Sequence, residues 1–166
     1  MRYSLPYQPA CPVCGDPAVN PQTLGLRFVL ELPEGVVFCL VRWAGKHLGF
    51  VGRVHGGLVA LVLDGAMAWA AAAAAGSFCT TGELRLKLLR AVPPETELAV
   101  RAWSEKRWGK YVRTAGELLD PDNQVLVRAS GSFAAISKEQ SRELRRFLVF
   151  GDGDYDVLEN RPVLVP

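Results

Sequence analysis

Residues 57–75 read GLVALVLDGAMAWAAAAAA, nineteen residues that carry a single formal charge, Asp64. No other stretch of the chain narrows the fold as much. Its alanine content gives strong helix propensity, and Gly76 supplies a C-terminal stop. A helix that is apolar on nearly every side either lies in a protein interior or spans a bilayer. Asp64 near its middle opposes insertion by roughly 2.5–3.5 kcal/mol, and spans favour leucine where this segment has alanine. The expectation is a buried core helix and no membrane partner.

The flanking segments change period. Residues 24–32 and 36–43 are apolar, β-rich runs separated by Pro33, Glu34 and Gly35, the pattern of a hairpin. Residues 44–53 contain three glycines and read as a loop. Beyond Gly76, residues 83–90, 97–103, 111–119 and 125–136 mix apolar and polar positions as half-buried strands do. Their separators are Pro93-Pro94, the polar stretch 104–110, and Asp120-Pro121-Asp122-Asn123. Two strands, one long helix and four strands imply α+β packing, because an antiparallel sheet buries a single apolar helix by curving round it. Residues 137–147 form a short amphipathic helix with Ser137 as N-cap. Residues 1–22, rich in proline and turn formers, read as an irregular lead-in, and residues 151–166 as an acidic, then apolar tail. We expect a single domain over 1–166, with its core at 23–136 and a short helix and tail at 137–166.

Nineteen basic and seventeen acidic residues leave a formal charge of +2, which points to neither nucleic acid nor a membrane surface as partner. Met1 to Pro12 hold no apolar run of secretory length, so a cytoplasmic location is expected, with Cys11, Cys14, Cys39 and Cys79 as free thiols. Cys11-Pro-Val-Cys14 stands without a second CxxC, whereas a tetrahedral metal site needs four ligands. The run GDGDYD at 151–156 fails as a calcium loop, since Val157 and Val163 occupy the positions that need glycine and a carboxylate. No metal or cofactor is expected. There is also no G-x-S-x-G elbow and no P-loop, which removes the serine-hydrolase and P-loop nucleotidase classes.

What remains is at the start of the helix, where Val54-His55-Gly56-Gly57 leads into the apolar run. Backbone N–H groups in a first helical turn have no intrahelical acceptor and lie at the positive end of the dipole, a natural site for a developing oxyanion. Gly56 is the first candidate donor, with Gly57 in support. Asp64 is the only formally charged side chain between Arg53 and Glu83. A carboxylate there is costly unless it is hydrogen-bonded or used, as nucleophile or as general base for water. Seven or eight residues separate it from the glycines, roughly 10–12 Å along a helix. A two-fold dimer with antiparallel helices would bring Asp64 of one protomer near Gly56 of the other. The bland alternatives are a structural buried acid at Asp64, glycines kept for close packing, and a His55 that orders the loop instead of moving protons.

HGG, a spacer and an aspartate on an apolar helix, followed by TTGELRLKLLRAVPP and preceded by CPVCG, Asn20-Pro21 and Gly25-Leu26, resemble the hotdog-fold acyl-CoA thioesterase superfamily, in particular its phenylacetate-degradation thioesterase-like branch. The resemblance covers residues 24 to 136. It implies an antiparallel curved sheet wrapped around one long helix, cofactor-free hydrolysis of an acyl-CoA or related thioester, and a homo-oligomer (dimer or dimer of dimers) whose active site is shared across the dimer interface. Asp64, Gly56, Gly57 and His55 are its catalytic set, and Thr81 stands where that branch places a hydroxyl that orients water or the carboxylate, with Thr80 as an alternative. The chain departs from the pattern at Gly49, where related enzymes often carry Asn; His47 is the nearby polar residue. Basic residues from Arg85 to Arg113 are candidates to hold CoA phosphates. The rivals are a non-catalytic hotdog protein that binds acyl-CoA or another apolar ligand, and a thioester dehydratase, which would need a catalytic histidine paired with an acid.

Overall fold

The computed structural model describes residues 1–164. Its strands are β1 (Arg2–Ser4), β2 (Val29–Glu31), β3 (Val36–Arg42), β4 (Leu48–Phe50), β5 (Arg53–Val54), β6 (Cys79–Leu88), β7 (Glu97–Trp108), β8 (Tyr111–Leu119), β9 (Val125–Ala135), β10 (Tyr155–Asp156) and β11 (Arg161–Pro162). The helices are α1 (Gly56–Ala75) and α2 (Lys138–Arg145). Seven strands form one antiparallel sheet in the order β1-β2-β3-β7-β8-β9-β6, while β4–β5 and β10–β11 are separate two-stranded hairpins. The long strands contact α1 on one face of the sheet, which is the hotdog arrangement of the α+β class.

Helix α1 seats itself by the spacing of its buried residues. Val59, Val62, Leu63, Ala66, Met67, Ala70 and Ala71 recur at intervals of three and four and lie at or below 1% exposure against the sheet. They meet Val37, Val100, Ala102, Val112, Leu118 and Phe133 from the strands in one core. The approach under Met67 is close because β8 and β9 carry glycines there. A Cβ on Gly116 would stand 3.2 Å from Met67 Cγ and Sδ, and one on Gly131 would stand 3.2 Å from Met67 Cε and 2.6 Å from the Glu83 carbonyl oxygen. Gly76 ends the helix in the left-handed region, donating its N–H to Ala72 O, and Arg107 Nη1 donates to Ala74 O at 3.0 Å.

Several expected boundaries differ, each for a backbone reason. The lead-in is not irregular throughout: Arg2–Ser4 forms the outer strand β1, registered on Val29–Glu31 and followed by a Leu5 N–H bond to Phe28 O. The strand expected over 24–32 shrinks to Val29–Glu31, because Leu24 and Leu26 donate instead to Pro12 O and Val13 O. Those two bonds clamp the CPVCG turn onto the body of the protein. The loop at 44–53 contains a single 3-10 turn, Gly45–His47, and the β4–β5 hairpin. The polar stretch 104–110 is largely strand: β7 runs to Trp108 with its charged side chains in solvent, and the reversal is confined to Gly109 (φ 57°) and Lys110. Strand β6 begins at Cys79 rather than residue 83.

Ser137 caps α2 as expected, its hydroxyl accepting from Gln140 N. Helix α2 is tied to the end of α1 by the buried Ser141, whose Oγ lies 2.8 Å from Ser77 Oγ and accepts from Phe78 N at 3.0 Å. The tail is not merely acidic and then apolar. It folds into β10–β11, and the buried Asp156 accepts a 2.6 Å bond from Arg145 Nε, joining that hairpin to α2.

Candidate active site

The site residues expected on α1 fall in two places, its first turn and its ninth residue. His55 is the N-cap, with extended backbone (φ −62°, ψ 128°), and its Nδ1 accepts from Gly57 N–H at 3.0 Å. That bond uses Nδ1 as its acceptor. It also corrects the role expected of Gly57, whose N–H is spent on the cap and is no free donor to an oxyanion. A Cβ at Gly57 would lie 3.0 Å from His55 Nδ1, so glycine at this position protects the cap. Among the described residues no acceptor takes the Gly56 N–H, the first donor of the helix. Gly56 is therefore the open donor, in a half-buried position beside the Leu88 side chain.

The loop before this turn is held by histidine as well. His47 Nδ1 accepts from Ala44 N at 3.0 Å, and its carbonyl accepts from His55 N at 2.9 Å. Burial, helped by Lys46, holds the His47 ring below the usual imidazole pKa. With these two accepted bonds His47 serves as a loop brace. Gly49 packs against His55, where a Cβ would meet His55 Cα and Cδ2 at 3.2 Å. A larger side chain at 49 would crowd the capping ring.

Asp64 lies two turns further along α1, half-buried, and Thr81 Oγ1 on β6 donates to its Oδ1 at 2.9 Å. The structure thus joins Asp64 and Thr81, which are seventeen residues apart in sequence. Thr80 points elsewhere, its hydroxyl donating to Ala134 O at 3.4 Å. Gly56 and Asp64 sit eight residues apart on a regular helix, about 12 Å along its axis, so one chain does not bring them together.

Asp64 also forms part of the wall of a cavity of about 560 Å³. Leu61, Ala68, Trp69 and Ala72 of α1 make one side, Phe28 and Phe78 another, Cys11 to Cys14 of the lead-in a third, and Leu144, Phe147 and Leu148 the rim. The lining is mainly apolar and aromatic. The buried Oε1 of Gln8, in the same wall, has no hydrogen-bond partner. Sequence reasoning missed this wall. The apolar residues of the lead-in were a signal, but the neighbours that make them a surface are supplied from α1 and from the last turn of α2 onward, about fifty to 140 residues away.

Several basic candidates for CoA phosphates are already engaged. Arg85 pairs with Glu83, Arg101 with Glu117 and Arg113 with Glu105, while Arg107 caps α1. Lys110 lies over the Tyr111 ring. Among the described residues no group of three or more His, Cys, Asp or Glu side chains converges on a metal-sized site, and Cys11 with Cys14 is a pair alone.

A family model of the thioesterase superfamily matches residues 51–127, the segment that contains His55, Gly56, Asp64 and Thr81. No curated protein matches the chain. Among solved structures, a thioesterase superfamily protein superposes with a TM-score of 0.68 at 28% identity over 76% of this chain; the match spans 60% of that protein's length. A phenylacetic acid degradation-related protein of Ralstonia eutropha gives 0.62 at 29% identity, covering 72% of this chain and 90% of that one. A thioesterase protein of Streptococcus pneumoniae solved with coenzyme A gives 0.59 at 13% identity, covering 64% of this chain and 83% of that one, a likeness of fold.

Proposed function

From the premise that this chain is a hotdog-fold protein of the thioesterase superfamily, we propose that it hydrolyses an acyl-CoA, or a related thioester, to a free acid and a thiol at a site shared between two protomers. The observation that carries the reading is the carboxylate of Asp64, oriented by the Thr81 hydroxyl in the wall of an apolar cavity. With Oδ1 held by Thr81, Oδ2 is the oxygen turned to chemistry. It either attacks the thioester carbonyl or takes a proton from the attacking water. The carbonyl oxygen, becoming negative, is stabilised by the free Gly56 N–H at the positive end of the partner's α1. The acyl group fills the aromatic-lined cavity, and the thiolate leaves toward solvent.

A second copy is supported by two features besides the 12 Å gap. Strand β6 is the terminal strand of the sheet, so one of its backbone edges has no neighbour among the described strands, and Thr81 is on this strand. Near the start of α1, Phe50 and Val51 at the β4–β5 tip are 82% and 98% exposed, and Leu88 beside Gly56 is 53% exposed. Large apolar side chains so placed suit an isologous contact.

The test is release of thiol from short, long and aryl acyl-CoAs by the wild type, by Asp64→Asn and by Asp64→Ala. Turnover is expected to fall by about 10²–10⁴ in both variants at unchanged assembly. Full hydrolysis by the variants would overturn the assignment of Asp64. Tight acyl-CoA binding without turnover by the wild type would favour the non-catalytic binding protein.

A further inference from the structure

The Asp64 cavity has a second reactive group in its wall that thioester hydrolysis does not use. Residues Pro9 to Gly15 form a tight knuckle in which Gly15 N–H donates to Cys11 O and Asp16 N–H to Pro9 O. A Cβ on Gly15 would fall 2.3 Å from Cys11 O and 2.6 Å from Pro9 O, so the knuckle admits only glycine there. This geometry turns two backbone N–H groups onto one sulfur: Val13 N donates to Cys11 Sγ at 3.4 Å and Cys14 N at 3.5 Å. Two backbone donors on one sulfur favour its anion. Cys11 is half-buried and Cys14 buried, and both line the cavity with Asp64.

We propose that Cys11 is a thiol-modification site within this cavity, attacking low-molecular-weight disulfides that enter it, with Cys14 as the resolving thiol. The Cys11 thiolate attacks one sulfur of the disulfide R–S–S–R; a Cys11–S–S–R bond forms, the R–S–S–R bond breaks, and R–S⁻ leaves. Cys14 gives its proton to water and attacks the Cys11 sulfur, forming the Cys11–Cys14 disulfide and expelling the second R–S⁻. Two protein thiols are oxidised and one disulfide is reduced to two small thiols. While the mixed disulfide lasts, R occupies the space assigned above to the acyl group. That blocking of hydrolysis rests on the proposed function, whereas the modification does not.

The other cysteines provide an internal standard. The Cys14 side chain, opposed by burial and aided by the backbone donors, lowers the Cys11 pKa to about 6, while burial pushes Cys79 up to about 11 and Cys39 to about 12. At pH 7 Cys11 is then the sulfur most available as thiolate, and it is expected to react at least about ten times faster than Cys79 or Cys39.

The experiment treats the full-length reduced protein at pH 7 with 4,4′-dithiodipyridine, a neutral aromatic disulfide, followed by intact mass and peptide mapping at limiting reagent. The wild type is expected to release two pyridinethiones in one fast phase and to end with a Cys11–Cys14 disulfide and no adduct. Cys14→Ser should retain one pyridyl adduct on Cys11, and Cys11→Ser should lose the fast phase. First modification at Cys39 or Cys79 in the wild type, which needs no variant to fold, would overturn the proposal. So would an undiminished fast phase in Cys11→Ser. Thioester hydrolysis by the wild type is then followed through oxidation and reduction. A protein that shows the fast Cys11 phase but hydrolyses no thioester refutes the proposed function and leaves the modification site standing.

Discussion

At the scale of single residues, the start of α1 separates two neighbouring glycines by what their N–H groups do. Gly57 feeds the His55 cap and Gly56 feeds nothing within the described residues. This makes Gly56→Pro an unusually clean deletion. Proline is favoured at the first helical position, and His55 already holds the extended backbone that a residue before proline prefers. A Cβ there would meet only Leu88 Cδ2, at 3.7 Å. The variant is expected to melt within a few degrees of the wild type while kcat drops by about 10²–10³, the usual effect of removing one oxyanion donor. Equal activity by thiol release would remove Gly56 from the mechanism. Asp64 was legible in the sequence because it is the one formal charge in a long apolar run. The division of labour between the glycines was not, since it depends on which nitrogen of His55 faces the helix. The role of Thr81 came from resemblance alone, because strand residues seventeen positions away show no helical or strand spacing to Asp64.

At the scale of elements, α1 was legible from its long alanine-rich apolar run and glycine stop, and the four strands after it from their mixed apolar and polar positions between clear turn signals. Boundaries failed where a long-range bond outcompeted local pattern. Residues 24–28 have the composition of a strand, yet Leu24 and Leu26 give their N–H groups to the CPVCG turn instead of the sheet. Charged residues 104–108 look like a loop, yet a strand with a solvent face tolerates them. The fit of α1 to the sheet depends on positions that carry no side chain at all. Gly131→Ala puts a methyl against the Glu83 carbonyl and Met67 together, and overpacking of this kind costs about 1–3 kcal/mol. The expected fall in Tm is roughly 3–10 °C for a domain of this size, measured by calorimetry. A Tm unchanged in that variant would mean that α1 rides higher on the sheet than described.

At the scale of the whole molecule, the distance between Gly56 and Asp64 turns the proposed chemistry into a statement about assembly. Asp64→Ala and Gly56→Pro proteins, each inactive alone, can be unfolded together and refolded. If sites are shared, half of the randomly formed dimers are mixed, and each mixed dimer has one site with both residues intact. Activity should return to about a quarter of the wild-type level by this count. No recovery would place both groups in one chain and require α1 to break. The cavity beside Asp64 is walled by α1 and by two stretches outside it, whereas the groups proposed to act on the carbonyl all lie on α1 and β6. Its far walls, Gln8 to Cys14 and Leu144 to Leu148, lie outside residues 51–127, which carry the superfamily match. On the proposed reading, the reacting groups lie in one stretch of the chain and part of the acyl pocket in two others. A graft of both flanking stretches from a relative could change which acids are released while the bond-breaking apparatus stays untouched, so that diet and chemistry can be inherited apart.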